Sequence, residues 1–160
     1  AAASDRYYPF SSVELFLSSE NTLMINAPLV CDDTLQTNDI ARIYPDGSFT
    51  ILGRKDNVIN SGGIKVQAEE IERLLQSSIP VPFVITSVPD RRLGQAVTLL
   101  IEGQMEISAL GTKLESVLAS YYRPKYIYTV NHIPQTGNGK INRKECRVLA
   151  ESLQLLGRQE

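Results

Sequence analysis

The strongest constraint on this chain is a change of hydrophobic period at Gly53-Arg54-Lys55-Asp56. Before it, apolar residues alternate as they do in strands. Val13 to Leu17 alternates, Ser18-Ser19-Glu20-Asn21 turns, and Thr22 to Asn26 returns. A second hairpin runs from Asp39 to Tyr44, through the turn tripeptide Pro45-Asp46-Gly47, and back along Ser48 to Leu52. These strands have little to pack on by themselves and read as the tail of a larger β-containing domain. After the change the pattern mixes α and β. Val58 to Asn60 and Ile64 to Val66 flank Ser61-Gly62-Gly63 as a hairpin. Ala68 to Gln76 is helical, with Ile71, Leu74 and Leu75 on one face. Val81 to Val88 and Gln95 to Glu102 are apolar strands joined by a loop over Pro89 to Gly94. Ile107, Leu110, Leu114, Val117 and Leu118 form a helix stripe, and Tyr126 to Val130 is a strand. Asn142, with Glu145 three residues on, opens a last helix whose Cys146, Leu149, Ala150, Leu153 and Leu156 share a face, and Gly157 can end it. The fold class is therefore α+β: a short β-rich N-terminal remnant over residues 1–55, then a small mixed α+β domain over 56–160.

Composition narrows the function classes. The 160 residues are 42% hydrophobic, enough to bury a real core. Sixteen Lys and Arg against eighteen Asp and Glu give a net charge of -2, which argues against a nucleic-acid binder. No apolar run approaches the roughly 18 residues of a membrane span. Ala1 to Asp5 lacks the basic and apolar regions of a signal peptide and reads as the middle of something longer. Two cysteines, Cys31 and Cys146, make no disulfide framework and fit a reducing, cytoplasmic setting; Cys146 reads as a small core residue. His132 is the only histidine, so a Cys/His metal site has too few ligands and none is expected. No nucleophile elbow accompanies His132, which reads as a strand-end residue.

Two segments are too polar and glycine-rich for plain connectors: Gly53 to Val66, and Pro134 to Lys144. In the second, Gly137 and Gly139 allow positive φ and remove bulk, and Lys140 follows at once. A lysine delivered from such a loop suits neutralising charge on a phosphate or a reacting carboxylate. The segment is not a Walker loop, since Pro134 and Ile141 stand where that motif needs Gly and Ser/Thr.

With Thr37-Asn38-Asp39 ahead of them, these segments form an ordered series: Thr-x-Asp, Asp-Gly, Gly-Arg-x-Asp-x-x-Ile-x-x-x-Gly, Glu-Glu-Ile-Glu, and Pro-x-Thr-x-x-Gly-Lys-Ile-x-Arg. The series resembles the C-terminal part of AMP-forming adenylating enzymes: acyl- and aryl-CoA synthetases, nonribosomal adenylation domains and luciferases. It covers about Thr37 to Lys144. The loop flavour of Ser61 to Glu72 is most similar to O-succinylbenzoate-CoA ligases of menaquinone synthesis. No carrier-protein serine motif follows Lys140 and no Ser-Lys-Leu ends the chain, which favours the CoA ligases over the other two groups.

The resemblance implies a two-step reaction. A carboxylic acid attacks the α-phosphate of ATP and releases pyrophosphate. The small domain then swings, and the thiol of coenzyme A displaces AMP. It implies Lys140 as the catalytic lysine bridging substrate carboxylate and α-phosphate. It implies Asp39 on the ribose hydroxyls, Arg54 on the nucleotide near its ribose, Lys65 near the phosphates and Asp56 at the hinge. Gly62 and Gly63 would line the pantetheine tunnel, and Arg91 and Arg92 stay open as contacts to coenzyme A phosphates. Asn38 stands where relatives carry Gly, and Asn tolerates the same left-handed backbone. Glu69, Glu70 and Glu72 read as partners of the helix dipole and solvent rather than as a catalytic cluster. Tyr121, Tyr122, Tyr126 and Tyr128 read as strand and loop residues packing on a helix. The large N-terminal adenylation domain of the same polypeptide, with its phosphate loop, acyl pocket and most of the Mg2+ site, is absent from the chain. The chain alone is therefore expected to be inactive. A module derived from such an enzyme that binds nucleotide or a partner without catalysis is the alternative.

Overall fold

A computed structural model describes residues 6–157. The chain divides into two compact units, the first ending at Asp56 and the second starting at Asn57.

The first unit is an antiparallel meander of four strands in the order β1 (Glu14–Leu17), β2 (Thr22–Asn26), β3 (Leu35–Ile43) and β4 (Phe49–Arg54). Its turns are built by short polar side chains. Ser18 Oγ accepts from the backbone N–H of Glu20 and Thr22, and Asn21 takes φ 61°, a conformation Asn tolerates. Asp46 Oδ1 accepts from Ser48 N and Ser48 Oγ, and Gly47 turns the corner at φ 81°. Leu23 and Ala41 are buried, but Phe16 on β1 and Leu35 on β3 are 48% and 58% exposed. A sheet this thin leaves much of its apolar surface in solvent.

The second unit is a five-stranded sheet covered on both faces. Strands β5 (Val58–Ser61) and β6 (Ile64–Gln67) form a hairpin, followed by α1 (Ala68–Leu75). Strands β7 (Phe83–Asp90) and β8 (Gly94–Glu102) form a second hairpin, followed by α2 (Ile107–Val117), β9 (Tyr126–Val130) and α3 (Arg143–Leu156). The order is β6-β5-β8-β7, with β9 lying parallel to β8. Side chains alternate across the β7–β8 pair. Ile85, Val97, Leu99 and Ile101 join Ile71, Leu75, Leu110 and Leu114 under α1 and α2. Val84, Val88, Ala96 and Leu100 join Cys146 and Ala150 under α3. Burial on both faces is why these strands read as unbroken apolar runs. Each fully buried Leu or Ile contributes roughly 1.5–3 kcal/mol.

Several boundaries differ from the sequence expectation. The strand expected over Val81 to Val88 begins at Phe83 and runs on through Asp90, so the loop shrinks to Arg91-Arg92-Leu93. Asp90 Oδ1 accepts from Arg92 N and Leu93 N and tightens the turn, and β7 is an edge strand where Pro89 costs no ladder bond. Asn38 lies inside β3 without left-handed backbone, and of Gly137 and Gly139 only Gly139 has positive φ. The last helix does end at Gly157, its C-cap, although that glycine stays right-handed.

Candidate functional site

The sequence-predicted residues fall into three places. The first lies in the β meander. Asp39 and Arg54 are direct cross-strand partners on β3 and β4, which puts both side chains on one face. Arg54 Nη1 stands 3.2 Å from Asp39 Oδ1, and Nη2 stands 3.8 Å from Asp56 Oδ2. Asp39 is steadied from below: its N–H donates to Thr37 Oγ1, and that hydroxyl donates to Leu23 O. Lys55 points elsewhere, 2.5 Å from Glu20 Oε2, so Arg54 is the cation that joins the two aspartates. Asp56 sits exposed in a single 3-10 turn, Lys55–Asn57, where the first unit ends.

The second place is the β5–β6 hairpin. Its two-residue turn is Gly62-Gly63, with φ 60° and 84°, which suits a tight hairpin and disfavours any side chain. Gly62 N donates to Leu93 O, and Ser61 pairs with Gly94. A Cβ on Gly62 would meet Leu93 Cδ2 at 3.1 Å, whereas one on Gly63 would face open space. Lys65 is exposed on β6, opposite Asn60. Beside this hairpin a cleft of about 500 Å³ is lined by Asp90, Arg91, Arg92, Lys125 and Tyr126. Lys125 Nζ lies 2.5 Å from Asp90 Oδ2. That hydrogen bond, helped by the Arg92 and Leu93 N–H groups and Tyr126, outweighs desolvation and holds the Asp90 carboxyl well below the usual carboxylate range.

The third place is the loop between β9 and α3. A Gln135–Ile141 bridge closes it, Thr136 N donates to Lys140 O, and Gly139 N donates to Thr136 O at φ 75°. Asn142 N donates to Pro134 O, and the Asn142 side chain accepts from Glu145 N to start α3. Lys140 is exposed on the returning limb of this hairpin-like loop, directly after its turn.

The register places the second and third sites at opposite ends of β8. The glycine turn is tied to Leu93 and Gly94. At the other end Glu102 pairs with Val130 and Glu102 Oε2 accepts from Ile133 N, immediately before the lysine loop. Strand β8 is nine residues long, which at about 3.3 Å per residue separates its ends by roughly 25 Å.

The acids of α1 have protein partners, not only solvent. Glu72 is paired with Arg143, Glu70 accepts from the Tyr122 hydroxyl, and Glu69 accepts from Asn57 and Gln67. Burial and then the Glu70 contact push the Tyr122 hydroxyl pKa up. Arg143 was visible three residues after Lys140, but nothing local signals a partner 71 positions away. Tyr126 and Tyr128 lie parallel, 6.3 Å apart, and pack against the buried cluster that includes Cys146 and Ala150 of α3 rather than standing free for bases. His132 is exposed just past β9, with Nδ1 3.3 Å from Glu102 Oε2. Among the described residues there is no group of three or more His, Cys, Asp or Glu fit to hold a metal ion. Among them, too, no helix is long and apolar enough to cross a membrane.

Two antiparallel-based sheets with three helices, the second unit carrying a glycine turn and a lysine loop at its two ends, define the class: a small α+β unit behind a β-rich piece of a larger domain. No family model matches the chain. Triostin synthetase I of Streptomyces triostinicus is 38% identical over 126 residues, covering 76% of this chain and 24% of that protein. The 2-succinylbenzoate--CoA ligase of Lactococcus lactis subsp. lactis (strain IL1403) is 33% identical over 113 residues, covering 70% of this chain and 25% of the ligase. The crystal structure of an acyl-CoA synthetase (AMP-forming)/AMP-acid ligase II-like protein from Dyadobacter fermentans DSM 18053 superimposes with TM-score 0.55 at 30% identity, over 90% of this chain and 43% of that one. The chain belongs to the AMP-forming acyl- and aryl-CoA ligase family and matches a C-terminal part of its members. It spans about a quarter of the length of the curated relatives it matches.

Proposed function

We propose that this chain is the C-terminal portion of an ATP-dependent, AMP-forming carboxylate–CoA ligase, and that opposite ends of its second unit serve the two half-reactions. The observation that carries the reading is the separation of the Lys140 loop from the Gly62-Gly63 turn by the length of β8. Two sites roughly 25 Å apart on one rigid sheet cannot face one reaction centre at once, so the unit must turn between steps.

In the first step a carboxylate oxygen bonds to the α-phosphorus of ATP and the bond to pyrophosphate breaks. Lys140 offers the exposed ammonium that offsets charge on both the carboxylate and the α-phosphate. Asp39 accepts from the ribose hydroxyls with Arg54 beside it, and Lys65 lies toward the phosphates. Asp56 is the hinge. In the second step the CoA sulfur bonds to the acyl carbonyl carbon, AMP leaves, and the thiol proton is lost. Gly62 and Gly63, bare of side chains, let the pantetheine arm pass close to the backbone. ATP and coenzyme A are the co-substrates. On this reading Mg2+ arriving with ATP is held mainly, and the acyl chain wholly, by the large N-terminal domain of the same polypeptide. The setting is cytoplasmic, in keeping with two unpaired cysteines.

The acyl donor we favour is 2-succinylbenzoate, on the strength of the Lactococcus relative and the Ser61 to Glu72 segment. The test is turnover by the full-length polypeptide with a panel of aromatic and aliphatic carboxylates, reading pyrophosphate release and thioester together. 2-Succinylbenzoate should give the highest kcat/KM, and the 160-residue chain alone should give no thioester. A different best acid overturns the substrate reading but leaves a ligase. Nucleotide binding without product from any acid means a non-catalytic binding module.

A further inference from the structure

We infer that Arg143 is a positioning residue for Lys140, acting through its forked ion pair with Glu72, so that α1 sets where the ammonium stands during acyl-adenylate formation. The inference rests on the function proposed above.

The bonds that shape the lysine loop are internal to it. Gln135–Ile141, Thr136–Lys140 and Asn142–Pro134 tie one limb to the other, so the direction of the hairpin as a whole is set by its attachments at the base. Two attachments hold the hairpin to the sheet by hydrogen bonds. On the entering side Ile133 N donates to Glu102 Oε2. On the leaving side Arg143, three residues after Lys140, is the first anchor. Its Nη1 is 2.9 Å from Glu72 Oε1 and its Nη2 is 2.8 Å from Glu72 Oε2. Nη1 also reaches Ile85 O at 3.4 Å, and Nη2 stands 4.0 Å from Glu69 Oε1. Glu72 Oε1 in turn accepts from Ile85 N, so the carboxylate is fixed to β7 as well as to α1.

Two planar groups joined at both ends define an orientation that a point contact does not. The side chains of Arg143 and Glu72 are 27% and 18% exposed, so water screens the pair less than it screens a surface pair. Three of the guanidinium's five N–H donors are turned to Glu72 and Ile85 O, which holds it against α1 and β7 as a support for the loop. Lysine at 143 would keep the charge and lose the fork.

The test uses the full-length ligase with Arg143→Lys, Arg143→Gln, Glu72→Gln and Lys140→Ala. Adenylation is read by ATP–pyrophosphate exchange, and the second step by thioester formation from supplied acyl-adenylate. Each Arg143 and Glu72 variant should lower the adenylation kcat by about ten- to a hundredfold, the scale of a 1 Å misplacement, with the KM for ATP within about twofold and the second step unchanged. If Arg143→Gln does not fold, Arg143→Lys carries the same test. Folded Arg143→Lys adenylating at the wild-type rate overturns the inference, as does an equal fall in both steps. Lys140→Ala separates the two levels. If it leaves adenylation intact, the proposed function fails; if it abolishes adenylation while the Arg143 variants keep it, only the positioning role fails.

Discussion

Arg54 Nη1 lies 3.2 Å from Asp39 Oδ1 because β3 and β4 make the two residues direct cross-strand partners. Both side chains are substantially exposed, so the pair contributes well under about 1 kcal/mol to folding. On the proposed function, its value lies in what it presents to a ligand. Asp39→Ala in the full-length ligase should then raise the KM for ATP about 10- to 100-fold, the cost of losing hydrogen bonds to a charged acceptor. The melting temperature of the 160-residue chain should barely move. A large thermal shift with an unchanged KM would make Asp39 a strand residue and nothing more.

The glycine turn separates shape from strain. Gly62→Ala forces a side chain into left-handed backbone and to 3.1 Å from Leu93, whereas Gly63→Ala meets the same backbone penalty in open space. The shared penalty is about 1–2 kcal/mol. Gly62→Ala should therefore destabilise the chain more than Gly63→Ala in urea titrations. Both should slow the CoA step while leaving pyrophosphate exchange near wild type. Equal loss in both half-reactions would contradict a role confined to the thioester step.

Asp90 ties the β7–β8 turn to the start of β9 through Lys125 and Tyr126. Its folded pKa is depressed, chiefly by the Lys125 hydrogen bond, so its contribution is full above the ordinary aspartate value and is lost as pH falls below it. Lys125 is raised by the same contact, so the pair also weakens when pH climbs past the ordinary lysine value. The stability gap between wild type and Asp90→Asn, read as urea midpoints, should be widest near neutrality and shrink steadily below pH 4. A gap that does not change between pH 7 and pH 2.5 would show that the carboxylate charge is idle.

Cys146 is fully buried on the inner face of α3, and burial pushes its thiol pKa up, while Cys31 is exposed. Brief alkylation of the native chain near pH 8 should add one label, at Cys31, and denaturation should admit the second. Cys146→Ser places a hydroxyl in that apolar cluster and should cost about 1–3 kcal/mol. Native labelling at Cys146 would mean that α3 does not pack as described.

Much of this was legible in the chain itself, and the exceptions share one cause. The period change near Asp56 exposed the α+β pattern, and Asn142 marked the start of α3 because helix capping is a local rule. Pro89 suggested an early strand end, but its effect depends on β7 being an edge, which only topology reveals. Glu70 and Glu72 looked like part of a solvated first turn because their partners Tyr122 and Arg143 lie 52 and 71 positions away. Gly62 and Lys140 both stood out as loop residues, yet their placement at opposite ends of β8 follows from sheet order and register.

That placement is most directly tested by splitting the half-reactions in Lys140→Ala full-length ligase. Pyrophosphate exchange should fall by about 10²–10³-fold, the usual cost of removing one electrostatic stabiliser of a transition state, while thioester formation from supplied acyl-adenylate stays within about twofold of wild type. Loss of both steps to the same degree, or of neither, would contradict a unit that works from its two ends in turn.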